Sequence, residues 1–245
     1  MTESEVKKLE KDYIDFMAID SFPSYTFASK TVSLSKADSE GFDSVAQAKY
    51  NPGTQEHTLI VADNLIIEPY ILFHEFTHIL DAETYARGDK VKYATSSGFT
   101  EYHASQIELL KMLGVNSVNE HLSFSASKMV MTIGDNKTIQ QYVDMKRNHA
   151  TELFDREDFP KNIEQLKTAM GVLFNYWGLR SICYMYCKDY KERNDNGAFL
   201  RYISPDVFQT MNKLMVGWLS DMLVDISCKE YWGMIYPLIQ KYKLA

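Results

Sequence analysis

The stretch from Pro69 to Gly88 constrains the fold more than any other part of the chain. Proline suits the first turn of a helix, where an N–H would have no partner within the helix. Tyr70 to Tyr85 then contains no breaker, and Gly88 after Arg87 suits a C-terminal cap. The pattern predicts a helix over 69–86. Leu72, Phe73, Phe76, Ile79 and Leu80 cover much of its surface. A helix this apolar has to be buried by neighbouring elements rather than lie on a solvated face.

The flanking sequence suggests what those neighbours are. Val6, Leu9, Tyr13, Phe16 and Met17 recur at helical spacing and predict an amphipathic helix over Glu3 to Asp20. Ser21 to Asp43 reads as loop with a short strand. Ser44 to Tyr50 and His57 to Ala62 read as two strands, and Asn51-Pro52-Gly53-Thr54 as the turn of a hairpin. Beyond Gly88, Ser96 or Ser97 caps a second helix from about Phe99 to Leu113, ended by Gly114. Ser123 to Ile133 alternates as a strand does. The rest predicts helices: Thr138 to Asp158, capped by Asp135 or Asn136; one or two within Asn162 to Lys188; Pro205 to Asp225; and Lys229 to Tyr242. With no repeat, low-complexity tract or linker, residues 1–245 are expected to form a single domain.

The chain has 245 residues, long enough to bury an apolar core without a metal or disulfide staple. A metal site here would therefore be chemical. The net charge of -7 and the lack of a Lys/Arg stripe argue against general nucleic-acid binding. No apolar run reaches the roughly 18 residues of a membrane span, and Met1 to Lys11 does not resemble a signal peptide. Three cysteines, Cys183, Cys187 and Cys228, fit a reducing, cytoplasmic compartment. Cys183 and Cys187, one turn apart among Tyr and Met, read as buried free thiols in preference to a metal or redox pair.

Chemistry concentrates on the central helix, which carries Leu-Phe-His-Glu-Phe-Thr-His-Ile-Leu-Asp from Leu72. His74 and His78, four residues apart, lie on one helix face. Two imidazoles so placed supply half of a tetrahedral zinc site. Glu75 sits beside the metal but off the ligand row, where a general base for an attacking water belongs. Buried histidines need partners, so two solvated surface histidines are the poorer account. Catalytic zinc takes three protein ligands. Glu101 and His103 are the near candidates, and about 200° of helix separates them, so only one faces the metal. Glu101 is preferred, because Ala104 beside it allows its helix a close approach. Asp81 shares the face of His74 and His78 but follows His78 too closely to ligate on an unbroken helix. It reads as a carboxylate behind the ligands or a structural polar residue.

His57-Thr58-Leu59-Ile60-Val61-Ala62, His74-Glu75-Phe76-Thr77-His78 and Glu101-Tyr102-His103-Ala104 together resemble the zincins. Within them the stretch resembles the glutamate zincins, whose third ligand is a Glu on a second helix. The layout is most similar to the ImmA/IrrE-like metallopeptidases of bacteria and their mobile elements, over about Ser44 to Leu113. The metzincin HExxHxxGxxH pattern is not met, because Asp81 and Thr84 stand at its Gly and last His. The thermolysin-type ExxxD pattern is half met, with Ser105 at its Asp, and Thr77 replaces the Gly common in HELGH-type motifs.

The resemblance implies an α+β fold with a zincin-like core over about 44–113, a small sheet packed on two crossing helices. A mainly helical extension over about 135–245 would follow. It implies a zinc metallopeptidase with metal ligands His74, His78 and Glu101. Glu75 would take a proton from the water that attacks the scissile carbonyl and return it to the leaving amine. The partner would be a peptide or protein substrate, and an exposed hairpin edge offers a strand for it to pair with. Tyr93, Tyr102 and His103 are the candidates for stabilising the oxyanion. The alternative is a zincin-fold binding or regulatory protein, acting on a transcription-factor partner with little proteolysis.

Overall fold

The computed structural model describes residues 1–32 and 45–244. The end of the predicted Ser21–Asp43 segment beyond Val32, and Ser44 at the head of the first hairpin strand, lie outside the described residues. The architecture is α+β, with a three-stranded and a two-stranded sheet among the described residues and a mainly helical C-terminal half. The chain divides into two compact units, Met1–Tyr93 with Ile107–His121 and Ala94–Gln106 with Leu122–Ala245. Among the described residues no helix is long and apolar enough to cross a membrane.

The first unit opens with α1 (Glu3–Met17), started by a capping box in which Thr2 and Glu5 exchange hydrogen bonds. It ends where Ala18 turns left-handed, short of the predicted Asp20. Strand β1 (Thr26–Lys30) runs parallel to β3 (Glu56–Ala62), and β2 (Ala46–Asn51) runs antiparallel to β3 on its other side. The positive φ of the hairpin turn falls on Gln55, not on Gly53.

Helix α2 (Pro69–Asp81) packs on β2 and α1. Tyr13 and Phe16 of α1 meet Phe73 and Phe76 of α2 ring to ring at 5.3–5.4 Å. These buried rings hold one side of α2 against α1. The predicted helix to Ala86 changes character before its end: Ala82–Ala86 is a π-helical turn, closed by Arg87 in the left-handed region just ahead of Gly88. Ala82 and Ala86 pack against the Tyr50 ring.

Helix α3 (Lys90–Thr95) leads into α4 (Ser97–Met112), whose C-terminal end meets Gly114 at positive φ as expected. In the second unit, the predicted Ser123–Ile133 strand contracts to β4 (Met129–Met131), paired with β5 (Asn136–Thr138). Because residues 136–138 are strand, the cap of α5 (Ile139–Phe154) is Thr138 with Gln141, not Asp135 or Asn136. Asn162 to Lys188 forms one long helix, α6 (Ile163–Tyr186). After the single turn α7 (Gly197–Leu200), α8 (Pro205–Leu214) and α9 (Asp221–Tyr242) redraw the last two predicted boundaries. The predicted helix through Asp225 breaks because its carbonyls find partners elsewhere. Arg180 donates to the carbonyls of Asn212 and Met215, while Tyr102 and Gln106 donate to that of Gly217.

Candidate metal centre

The contact between α2 and α1 decides which way the histidines face. Thr77 donates its only hydroxyl proton to the Phe73 carbonyl at 2.8 Å, so the Tyr13 hydroxyl is the donor in its 3.0 Å bond to Thr77. A glycine at position 77 could not make this link. Asp81 is 3 % exposed. Burial pushes the Tyr13 phenol up, and the charge of Asp81 adds to the effect. With Phe73, Phe76 and Thr77 buried, His74 and His78 come together on another face of α2, half-buried, their rings 4.8 Å apart at 72°.

Helix α4 carries the third residue. A Cβ on Gly98 would meet the rings of Phe174 and Tyr231, and one on Gly178 would overlap the Tyr102 carbonyl oxygen. These two glycines let α4 lie against α6 and α9 closely. Gly171 of α6 faces the Glu101 carboxyl, which would stand 3.6 Å from an added Cβ. Burial raises the Tyr231 phenol, and the Glu101 charge raises it further.

One ligand atom from each of His74, His78 and Glu101 lies within 4.8 Å of the other two, and this group could hold a metal ion. Tetrahedral ligands at about 2.0–2.2 Å from an ion stand roughly 3.4 Å apart, so the donors lie within a side-chain adjustment of that geometry. Two imidazoles and a carboxylate make a nitrogen–oxygen donor set of the kind found at three-ligand metal sites.

Glu75 lies half-buried beside this group, and its Oε2 accepts the Ala48 backbone N–H at 2.6 Å. The register explains why that N–H is available. Ala62 donates to the Val45 carbonyl. By antiparallel alternation positions 47, 49 and 51 turn their polar groups toward β3. Those of Ala46, Ala48 and Tyr50 turn outward, on an edge that pairs with no strand among the described residues.

Glu108, which sequence reasoning did not single out, lies 2.8 Å through its Oε2 from His74 Nδ1 and is 5 % exposed. The signal for it was its spacing. Seven residues after Glu101, it falls on nearly the same face of α4. Ser105, four residues after Glu101, instead donates to Asn175 of α6. His103 is stacked on Phe99 at 5.7 Å and meets Trp218 edge-on, outside the ligand group. Tyr102 is fully buried and donates to Gly217, which removes it from the oxyanion candidates, and Tyr93 packs edge-on against Tyr50. Cys183, Cys187 and Cys228 are free thiols. Burial raises Cys183, while Cys187 donates to Asp189. No family model, curated protein or solved structure matches the chain.

Proposed function

We propose that the protein is a zinc-dependent metallopeptidase, with His74, His78 and Glu101 holding the ion and Glu75 acting as general base. The observation that carries this reading is the position of Glu75, on the ligand helix between the two histidines and 2.6 Å from an outward N–H of the sheet edge. A carboxylate so placed adjoins both the metal group and a strand along which an extended peptide can bind.

Each residue then has a defined task. Zinc, when bound, would supply Lewis acidity, lowering the pKa of a water and polarising the scissile carbonyl. Glu75 would accept the proton of the attacking water and deliver it to the leaving amine nitrogen as the C–N bond breaks. The outward N–H and C=O groups of Ala46 and Tyr50, with the C=O of Ala48, would pair with the substrate backbone on either side of the Ala48 N–H that Glu75 accepts, so alternate substrate side chains would point toward and away from α2. Such pairing selects an extended peptide. The three free thiols suit the reducing cytoplasm as the place of action.

The test is Glu75→Gln, which keeps size and most hydrogen bonding but cannot take up the proton. Wild-type protein loaded with zinc is screened against a mixed peptide library by mass spectrometry, and the variant is assayed on whatever peptide is cleaved. Hydrolysis should fall about 10²–10⁴-fold, the usual worth of general acid–base catalysis, with zinc content unchanged. Full activity in a zinc-loaded Glu75→Gln protein would refute the assignment of the base. A wild-type protein that holds zinc and cleaves nothing would favour a binding or regulatory role.

A further inference from the structure

We propose that Glu108 is a positioning residue for the metal centre, fixing His74 as an Nδ1–H tautomer so that Nε2 faces the ion. The inference rests on the metal-centre reading above and extends it to a residue outside the ligand group.

The carboxylate of Glu108 and the imidazole of His74 meet at 2.8 Å, with only 7 % and 13 % of the two side chains exposed. An ionised carboxylate can only accept hydrogen bonds, so the proton of this contact belongs to His74 Nδ1. In a neutral imidazole that puts the lone pair on Nε2, the atom that would bind the metal. The bond also fixes the ring's rotation, and a carboxylate behind an imidazole strengthens it as a ligand. Burial strengthens the contact, because little water competes for either group.

The helix carrying Glu108 adds a geometric argument. Glu101 and Glu108 are seven residues apart, two helical turns and about 10.5 Å along the axis of α4. One helix thus presents a carboxylate to the ligand group and a second to the imidazole of α2. The intervening turn does not compete, since Ser105 is bonded to Asn175. A slip of α4 along its axis would break the His74–Glu108 bond and displace Glu101 together. The bond therefore ties the orientation of one ligand to the placement of another.

A plain structural role, in which Glu108 only ties α4 to α2, makes different predictions. Zinc affinity is measured by competition with a chromogenic chelator, and apo-protein stability by thermal melting. Glu108→Gln retains an acceptor oxygen but loses the charge. It should weaken zinc binding about 10–100-fold, as loss of such a carboxylate typically does, and alter the visible spectrum of the cobalt(II)-loaded protein. Glu108→Asp, restoring the charge on a shorter arm, should recover part of the affinity. Wild-type zinc affinity in Glu108→Gln, with only the apo-protein melting lower, would overturn the proposal.

A second measurement needs no variant. Long-range proton–nitrogen NMR of the zinc-loaded wild type should show His74 protonated at Nδ1 and metallated at Nε2. The opposite arrangement would overturn the proposal even if every variant failed to fold. A wild type that takes up no zinc would remove the metal-centre reading and Glu108's role with it. A zinc-binding wild type with an indifferent Glu108→Gln would remove only the role of Glu108.

Discussion

The approach of α6 to α4 should make Gly178 one of the least replaceable residues in the protein. A Cβ built there would stand 2.9 Å from the Ser105 Cβ and 3.0 Å from the Tyr102 carbonyl carbon, and closer still to the carbonyl oxygen. Ordinary contact begins near 3.4 Å and the carbonyl oxygen is the nearest of the three atoms, so the helices must part by about an ångström to admit a methyl group. Two of the three opposing atoms are backbone, and rotating a side chain cannot relieve them. Overpacking of this kind costs about 1–3 kcal/mol, offset in part by the better helix propensity of alanine, about 0.8–1.0 kcal/mol. Gly178→Ala should therefore lose up to about 2 kcal/mol in urea unfolding, with an unchanged m value. The consequence reaches the site. Tyr102 follows Glu101 directly, and functional groups must be held to within about 0.5 Å of their working positions, so zinc affinity should fall as well. Gly233→Ala is the control. It lies exposed on α9 with nothing within 4 Å of an added Cβ, and it should gain up to about 1 kcal/mol. If Gly178→Ala proves as stable as Gly233→Ala and binds zinc like wild type, the close contact between α4 and α6 is not what positions Glu101.

Further expectations concern the ligands and an acid-sensitive histidine. Glu101→Ala should weaken zinc binding in chelator competition, whereas His103→Ala, stacked between Phe99 and Trp218, should leave it near wild type; the reverse would transfer the third-ligand role to His103. Burial, and then the charge of Lys146, holds His149 below its ordinary value against an opposing effect of Glu152. Keeping it neutral stabilises the fold above the unfolded-chain pKa of about 6.5, and that contribution is lost as pH falls from there through the lower folded value. Melting curves of His149→Gln from pH 7 to pH 5 should therefore fall less steeply than those of wild type, and equal slopes would count against it.

Features decided within a few residues were legible in the sequence. Pro69 at the head of α2, Gly114 after α4 and the hairpin between Tyr50 and His57 follow from local backbone chemistry, and they came out close to expectation. Boundaries settled by distant partners did not. Arg180, Tyr102 and Gln106 take up the carbonyls of Asn212, Met215 and Gly217 where α8 ends, and although Gly217 turns to positive φ there, nothing near it in sequence announces those donors. The π-helical turn after Asp81 was equally hidden, since Ala82 to Ala86 carries nothing that disfavours an ordinary helix.

The same division runs through the candidate centre. His74, Glu75 and His78 were readable because one helix turn fixes their mutual positions, so spacing alone describes the geometry. Glu101 needed a second helix to meet the first, and the sequence narrowed it to one of two residues by helix angle. Glu108 and Ala48 were out of reach for a different reason. What each contributes depends on contacts between segments 34 and 27 residues apart, Glu108 with His74 and Ala48 with Glu75. Yet each contact has a local reason. Glu108 is on its face of α4 because seven residues is nearly two whole turns, and the Ala48 N–H points outward because strand pairing alternates. A reader given only the pairing of β2 with β3 and of α4 with α2 could have named both. The missing information was thus tertiary pairing rather than side-chain chemistry, and the helix and strand periods translate that pairing into the groups that surround the candidate ligands.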